Sequence, residues 1–285
     1  MEQRERRKFT ALESDLVCEV KTIKQQIDTS MALHNHDGHE ILLILSGKVN
    51  FYTEFGGVRL ERGDLICIHE FDFHRAELVT LDEYDRILIN VRGNTLAEAS
   101  GSKMSLGACF ERNALNPINV THLSEEELEK ITGYAKELQK TLKGKQPEDE
   151  LLADAFLKLI MVSINRHFIK HDMLQHTEIM PNLVSETFQY IENHLEEEIT
   201  LGRLEEQLHY NGTYISRCFK KITGITLQQF IIAKKITLSC TLLRKGYAPC
   251  DVCYMTGFNN YSNYSRTFSK QMGKSPKKYQ MEYQL

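Results

Sequence analysis

Two groups of residues in this 285-residue chain have types and spacings that could do chemistry. The first is cationic and written twice. Ser216-Arg217-x-Phe219-x-Lys221-x-x-Gly224 recurs as Ser265-Arg266-x-Phe268-x-Lys270-x-x-Gly273, 49 positions later. A guanidinium can donate two parallel hydrogen bonds to the O6 and N7 edge of guanine, and an ammonium can neutralise a phosphate. The second group is rich in imidazole. His34-x-His36-x3-Glu40-x6-Gly47 is followed by Gly63-x5-His69-x-Phe71-x2-His74. Imidazole and carboxylate donors suit Fe, Mn, Ni, Cu or Zn. A third signal is weak: Cys250-x2-Cys253 is half of a zinc or redox site, no second pair follows, and packing is the better reading. The chain has no P-loop, no GxSxG and no dinucleotide fingerprint, which argues against those nucleotide-binding and hydrolase classes.

The elements around these residues divide the chain. Residues 15–92 read as short strands: EILLILS (40–46), KVNFYTEF (48–55), a turn at Gly56-Gly57, VRLERGDLICI, FHRAELV (73–79) and DRILINV (85–91). This pattern predicts a sandwich or barrel. The period then changes to helical. Ser124-x-x-Glu127 is a capping box, and Leu128, Ile131, Ala135, Leu138 and Leu142 follow at helical spacing. A second amphipathic helix is expected over about 148–167, with core residues and a dimer face as its two uses. Residues 171–182 lack a period and read as a linker. The charge divides in the same way. From Thr200 onward there are 13 Lys+Arg against 4 Asp+Glu, a net of +9, while the rest of the chain carries −13. A basic module that meets a polyanion and an acidic module that does not are implied. The seven cysteines are scattered and odd in number, no apolar run is long enough to span a bilayer, and the charged N-terminus is no secretory signal. A cytoplasmic, non-membrane protein is expected.

The repeat extends beyond its nine-position core. Upstream the offset becomes 48, pairing Leu204 with Val252, Tyr210 with Phe258 and Asn211 with Asn259, so the second copy has one extra turn residue. Each copy predicts a short helix (201–208; 249–256), a tight turn and a second helix (213–223; 261–272) that ends on a glycine. A Thr226-x-x-Gln229 capping box opens a bridging helix that runs to about Arg244. Its length of about 28 Å approaches a major-groove period of about 34 Å. Two groove readers on one face of a duplex are expected.

ITLGRLEEQLHYNGTYISRCFKKITGITLQQFI (199–231) and CDVCYMTGFNNYSNYSRTFSKQMGKSPKKYQ (250–280) resemble the AraC/XylS family of bacterial transcription regulators. The resemblance implies that the second helix of each unit enters the major groove. It makes Gly212, Thr213, Ser216 and Arg217, and Tyr261, Ser262, Ser265 and Arg266, the base-facing candidates. Lys220, Lys221, Lys270, Lys274, Lys277 and Lys278 become candidate phosphate contacts. Two positions depart from the family pattern. Glu205 stands where a small residue is usual, which predicts a looser first unit, and His209 stands where glycine is frequent. Cys253 fills the small position of the second unit.

The two histidine-bearing stretches resemble the motifs of cupins, small antiparallel β-barrels that often hold a metal. The resemblance implies His34, His36, Glu40 and His74 as a three-His-one-Glu ligand set. Metal-free sensor domains of this type instead use such positions to line a ligand pocket, with His39 and Phe73 at its rim. The second motif departs at His69, Phe71 and Leu78, which replace a proline, a glycine and an asparagine.

These readings predict an α+β chain of two domains. A cupin-like β-barrel with two helices (1–170) and a linker (171–182) precede an all-α domain with two helix-turn-helix units bridged by a long helix (183–285). The expected function is sequence-specific, ligand-responsive regulation of transcription, without catalysis. The family tendency is activation, and repression stays open. Double-stranded DNA, a small-molecule effector, a second copy of the chain and RNA polymerase are the expected partners, and a divalent transition metal in the barrel is the candidate cofactor. The competing classes are a metal-dependent cupin enzyme fused to a nucleic-acid-binding module and a DNA architectural protein without ligand control.

Overall fold

The computed structural model describes residues 9–10, 12, 14–23, 32–79, 84–112, 117–170 and 178–283. The chain forms two compact units. One comprises Leu12–Met31 and Asn35–Ile179, and the other Met1–Ala11, Ala32–His34 and Met180–Leu285. Most of the expected linker, 171–177, lies outside the described residues.

The strands in chain order are β1 (Phe9–Thr10), β2 (Leu16–Ile23), β3 (Asn35–His36), β4 (His39–Ser46), β5 (Val49–Thr53), β6 (Gly56–Leu60), β7 (Asp64–Ile68), β8 (His74–Leu78), β9 (Tyr84–Val91) and β10 (Asn119–His122). Within the first unit they build an antiparallel five-stranded sheet, β10-β7-β4-β9-β2, and an antiparallel three-stranded sheet, β6-β5-β8. The strands of this unit thus pair as two antiparallel sheets.

Period-two alternation sorts the side chains of β4. Leu42 and Ile44 join Phe51, Leu60, Ile66 and Ile68 in one apolar core. Ile41 and Leu43 join a second core with Leu128, Ile131, Leu157 and Ile164 of α2 (Glu125–Thr141) and α3 (Pro147–Lys170). β4 is central and buried on both faces, which explains its unbroken apolar run. A short helix α1 (Gly93–Ala99) and a 3-10 turn (Ala108–Phe110) connect β9 to β10. Neither they nor β10 were legible in the sequence.

The β5–β6 hairpin turns two residues earlier than expected. Thr53 pairs with Gly56 and Tyr52 with Gly57, so Glu54-Phe55 is the turn and the two glycines lie in β6. The Thr53 hydroxyl accepts from Phe55 N–H (3.1 Å) and donates to the Gly56 carbonyl (3.2 Å), which closes the turn locally. The glycines serve close approach instead. Gly57 N–H donates to Glu178 at 2.7 Å, and a Cβ on Gly56 would lie 2.7 Å from the same carboxylate.

The second unit contains α4 (Asn182–Asn193), α5 (Leu201–Leu208), α6 (Gly212–Thr223), α7 (Leu227–Arg244), α8 (Pro249–Met255), α9 (Tyr261–Met272) and α10 (Pro276–Tyr283). Two aromatic cores hold it. Phe188, Phe219 and Phe230 meet at centroid distances of 5.0–5.5 Å. Phe268 packs on Tyr264 at 5.9 Å and on Tyr279 at 5.5 Å. Phe219 with Phe230 and Phe268 with Tyr279 are repeat equivalents, so each copy carries its own core on a shared bridging helix.

Candidate nucleic-acid interface and sensor cluster

Each helix-turn-helix unit is built by local signals. Thr200 caps α5, its hydroxyl accepting from Arg203 N–H. Asn211 Oδ1 caps α6 by accepting from Thr213 N–H, and Asn260 Oδ1 caps α9 by accepting from Asn263 N–H, both at 3.0 Å. The second helix of each unit ends on a left-handed glycine, Gly224 (φ 73°) and Gly273 (φ 74°). The turns differ. Gly257 (φ 66°) makes the second turn, whereas His209 takes the left-handed conformation (φ 57°) in the first. Gly257 is required by space as well, because a Cβ there would lie 2.5 Å from Lys235 Nζ and 2.8 Å from the Leu195 carbonyl oxygen.

The bridging helix α7 has the capping box expected for it. Thr226 accepts from Gln229 N–H, and Gln229 returns the bond to Thr226 N–H. Its 18 residues span about 27 Å. Lys235, near its middle, donates to the Glu197 carbonyl ahead of α5 (3.1 Å) and to the Gly257 carbonyl in the second turn (2.9 Å). Burial lowers the pKa of this ammonium. One side chain therefore ties both copies to the bridge.

The candidate DNA contacts are placed unequally. Thr213, Arg217, Lys220 and Lys221 on α6, and Ser262, Arg266 and Lys270 on α9, are exposed. Ser216, Ser265 and Tyr261 are half-buried. Arg217, Lys220 and Lys270 have no ion-pair partner among the described residues, and Arg266 bends back to donate to the Ser262 carbonyl (3.2 Å). Lys277 and Lys278 are exposed, whereas Lys274 is paired with Glu282. Ser216, Arg217 and Lys220 also line a groove of about 420 Å³ with Leu201, Leu204 and Leu227. Gly212 departs from the expectation. It is buried at the start of α6, and its N–H donates to Glu205 Oε1 at 2.5 Å. Glu205 therefore ties the first unit together there, where a looser unit was expected.

In the sheet unit the structure brings together three of the four candidate ligands. Among the described residues, His36, Glu40 and His74 offer donor atoms within 4.8 Å of one another. His34 is the exception. It falls in the helical unit, with Nδ1 3.1 Å from the Ala32 carbonyl. His36 Nε2 lies 3.0 Å and His74 Nε2 3.7 Å from Glu40 Oε2. His74 Nδ1 lies 2.9 Å from the Asp72 carbonyl, and Phe51 stacks on the ring at 5.9 Å. All three side chains are buried. Burial alone would raise the Glu40 pKa, but the His74 and His36 imidazoles outweigh it and hold the carboxyl well below its usual range. Burial alone would lower the His74 pKa, and the Glu40 charge raises it. The donor types and spread fit a transition metal held by His36, Glu40 and His74, and the same atoms also satisfy one another by proton sharing.

The sequence reading missed the polar neighbours of this cluster. Asn90 on β9 pairs in register with Glu40 and is buried. Tyr84 feels Arg86 and Glu40, and its pKa is pushed up to about 12, chiefly by burial. Period two places Tyr84, Arg86, Leu88 and Asn90 on one face of β9, and the two polar letters inside an apolar strand were the signal available.

Family sequence models agree with the order of the two units. A sequence model of the AraC-like ligand binding domain matches residues 20–161, and one of a helix-turn-helix domain matches residues 204–282. The chain is similar to the probable transcriptional regulator LumQ of Photobacterium leiognathi, at 24% identity over 92% of this chain and 98% of that protein. It is also similar to the uncharacterized HTH-type transcriptional regulator SAR0107 of Staphylococcus aureus, at 20% identity over 90% of this chain, of which it spans only 33% of the length. Among solved structures it is similar to ToxT of Vibrio cholerae bound to unsaturated fatty acid (11% identity, 93% of this chain and 94% of that one, TM-score 0.40). It is similar as well to the C-terminal domain of AraT, a response regulator of Geobacillus stearothermophilus (24%, 36% and 88%, TM-score 0.36). A ligand-binding domain model and a helix-turn-helix model together cover most of the chain, in the order of its two units, and the chain belongs to the AraC family of transcriptional regulators.

Proposed function

We propose that this chain binds double-stranded DNA through α6 and α9 and alters that binding when its N-terminal unit takes up a small molecule. The observation that carries this reading is the duplicated reader. Arg217 and Arg266 stand at the same position of two capped helices, exposed, one before and one after the bridging helix α7 in the chain. The His36–Glu40–His74 cluster is the polar anchor proposed for the effector. Exposed Leu151, Leu152 and Leu159 on α3 are the proposed face for a second copy, and contact with RNA polymerase belongs to the same reading. No helix among the described residues is long and apolar enough to cross a membrane, which accords with work in the cytoplasm.

The deciding experiment is recovery of bound DNA from a random pool with the purified protein. Two short boxes about one helical turn apart are expected. One box per protomer, or none at moderate salt, would sink the reading. Arg266→Ala should relax preference at one base position at a cost of about 1–3 kcal/mol, whereas uniform weakening across sequences would make Arg266 a backbone contact. The donor set of the cluster supports a second reading, a metal-dependent cupin. It requires metal bound in stoichiometric amount by the purified protein and lost in a His36→Ala, His74→Ala variant.

A further inference from the structure

Glu205 is one position where the two copies differ in chemistry. Its repeat equivalent is Cys253, a buried thiol directed at the Phe258 carbonyl (3.5 Å). Glu205 is exposed on α5, and its carboxylate reaches the first turn of α6. Gly212 makes that approach feasible, since a Cβ there would lie 2.8 Å from Glu205 Oε1 and 3.3 Å from its Cγ. The first N–H groups of a helix have no partner inside the helix, and the dipole gives that end partial positive charge. In α6 the first two, Gly212 and Thr213, are bound by Glu205 and Asn211. In α9 Asn260 binds the third, Asn263, and the N–H groups of Tyr261 and Ser262 have no acceptor among the described residues.

We infer that Glu205 is a specificity-determining residue that weakens the first unit's hold on DNA, leaving the second unit as the stronger reader. Its fixed negative charge sits at the positive end of the reading helix, beside the exposed Thr213 that is a candidate DNA contact. A phosphate approaching α6 meets a carboxylate bonded to the helix's first N–H, whereas among the described residues no carboxylate is bonded to the first turn of α9. The inference rests on the DNA-binding reading given above.

The test uses the whole 285-residue chain and a DNA with both boxes. Glu205→Gln keeps an oxygen acceptor for Gly212 N–H and removes the charge. Binding should tighten about two- to fivefold at low salt, with the gain shrinking as salt rises. On a DNA with the first unit's box scrambled, the gain should disappear. Unchanged or weaker binding by Glu205→Gln would overturn the inference, as would a gain that survives the scrambling. Glu205→Ala separates charge from capping, because it should lower the thermal midpoint and still tighten binding. A purely structural Glu205 would lower both. Failure of the wild-type protein to bind any DNA would instead defeat the underlying reading, so the two failures are distinguishable.

Discussion

His209 and Phe71 adopt left-handed backbone, with φ of 57° and 67°. An L side chain in this region costs about 1–2 kcal/mol. His209 is exposed and its side chain recovers little of that cost. His209→Gly should therefore raise the stability of the helical unit by about 0.5–1 kcal/mol, read as a higher thermal midpoint. A lower midpoint would mean that the imidazole makes a contact worth more than the strain. Phe71 is a different case because it is buried and its backbone is used. Its N–H donates to the His36 carbonyl (2.8 Å), and its own carbonyl accepts from the Asn35 side-chain amide (3.0 Å). The sequence offered Phe71 only as a departure from a glycine-bearing motif. The structure keeps the glycine-like backbone and fills the space beside it with a ring.

Elements were most legible where one side chain both starts and defines them. The capping box at Ser124 and Glu127 is present, with Ser124 accepting from Glu127 N–H and Glu127 returning the bond. Glu127 also meets His167 Nδ1 of α3 at 3.0 Å. Burial works against ionisation of Glu127, but the bonds from His167 and Ser124 prevail and bring its pKa down to about 2. A carboxyl depressed in the folded state adds stability above its unfolded value, near 4.5, and loses it as pH falls toward 2. Glu127→Gln should flatten the acid limb of the sheet unit's unfolding curve between those values while changing its slope little above pH 5. An unchanged acid limb would remove Glu127 from that account. Strand pairing was less legible. β10 has four residues and exists because Asn119–His122 lies in register against Cys67–Asp64 of β7, a long-range pairing with no local signature. Lys235 was equally hidden, as its partners are backbone carbonyls 38 and 22 residues away. Lys235→Met would leave those carbonyls without their donor, costing about 1–3 kcal/mol. Binding should then tolerate one-base changes in box spacing that the wild type rejects, and retained strictness would show that α7 alone sets the spacing.

At the scale of the whole molecule, charge is segregated by sequence position, with a net of +9 after Thr200 and −13 before it. Exposed Arg217, Lys220, Lys221, Arg266, Lys270, Lys277 and Lys278 place the cations of the helical unit where phosphates could be met. Each neutralised phosphate contributes about −0.9 to the slope of log affinity against log salt, so a slope of about −4 to −6 is expected. A slope near zero would show that these cations do not meet the duplex. The two-unit organisation and the paired helix-turn-helix elements were visible in the sequence, the latter because the chain repeats them. The ligand cluster was visible only in part, because His34 shares a motif with His36 yet belongs to the other unit. The repeat is also imperfect, with Glu205 opposite Cys253 and His209 opposite Gly257. A target read by two unlike modules in fixed order has a head and a tail. A protomer seated on such a target could lie on it only one way round, and an upstream neighbour would meet a different surface from a downstream one.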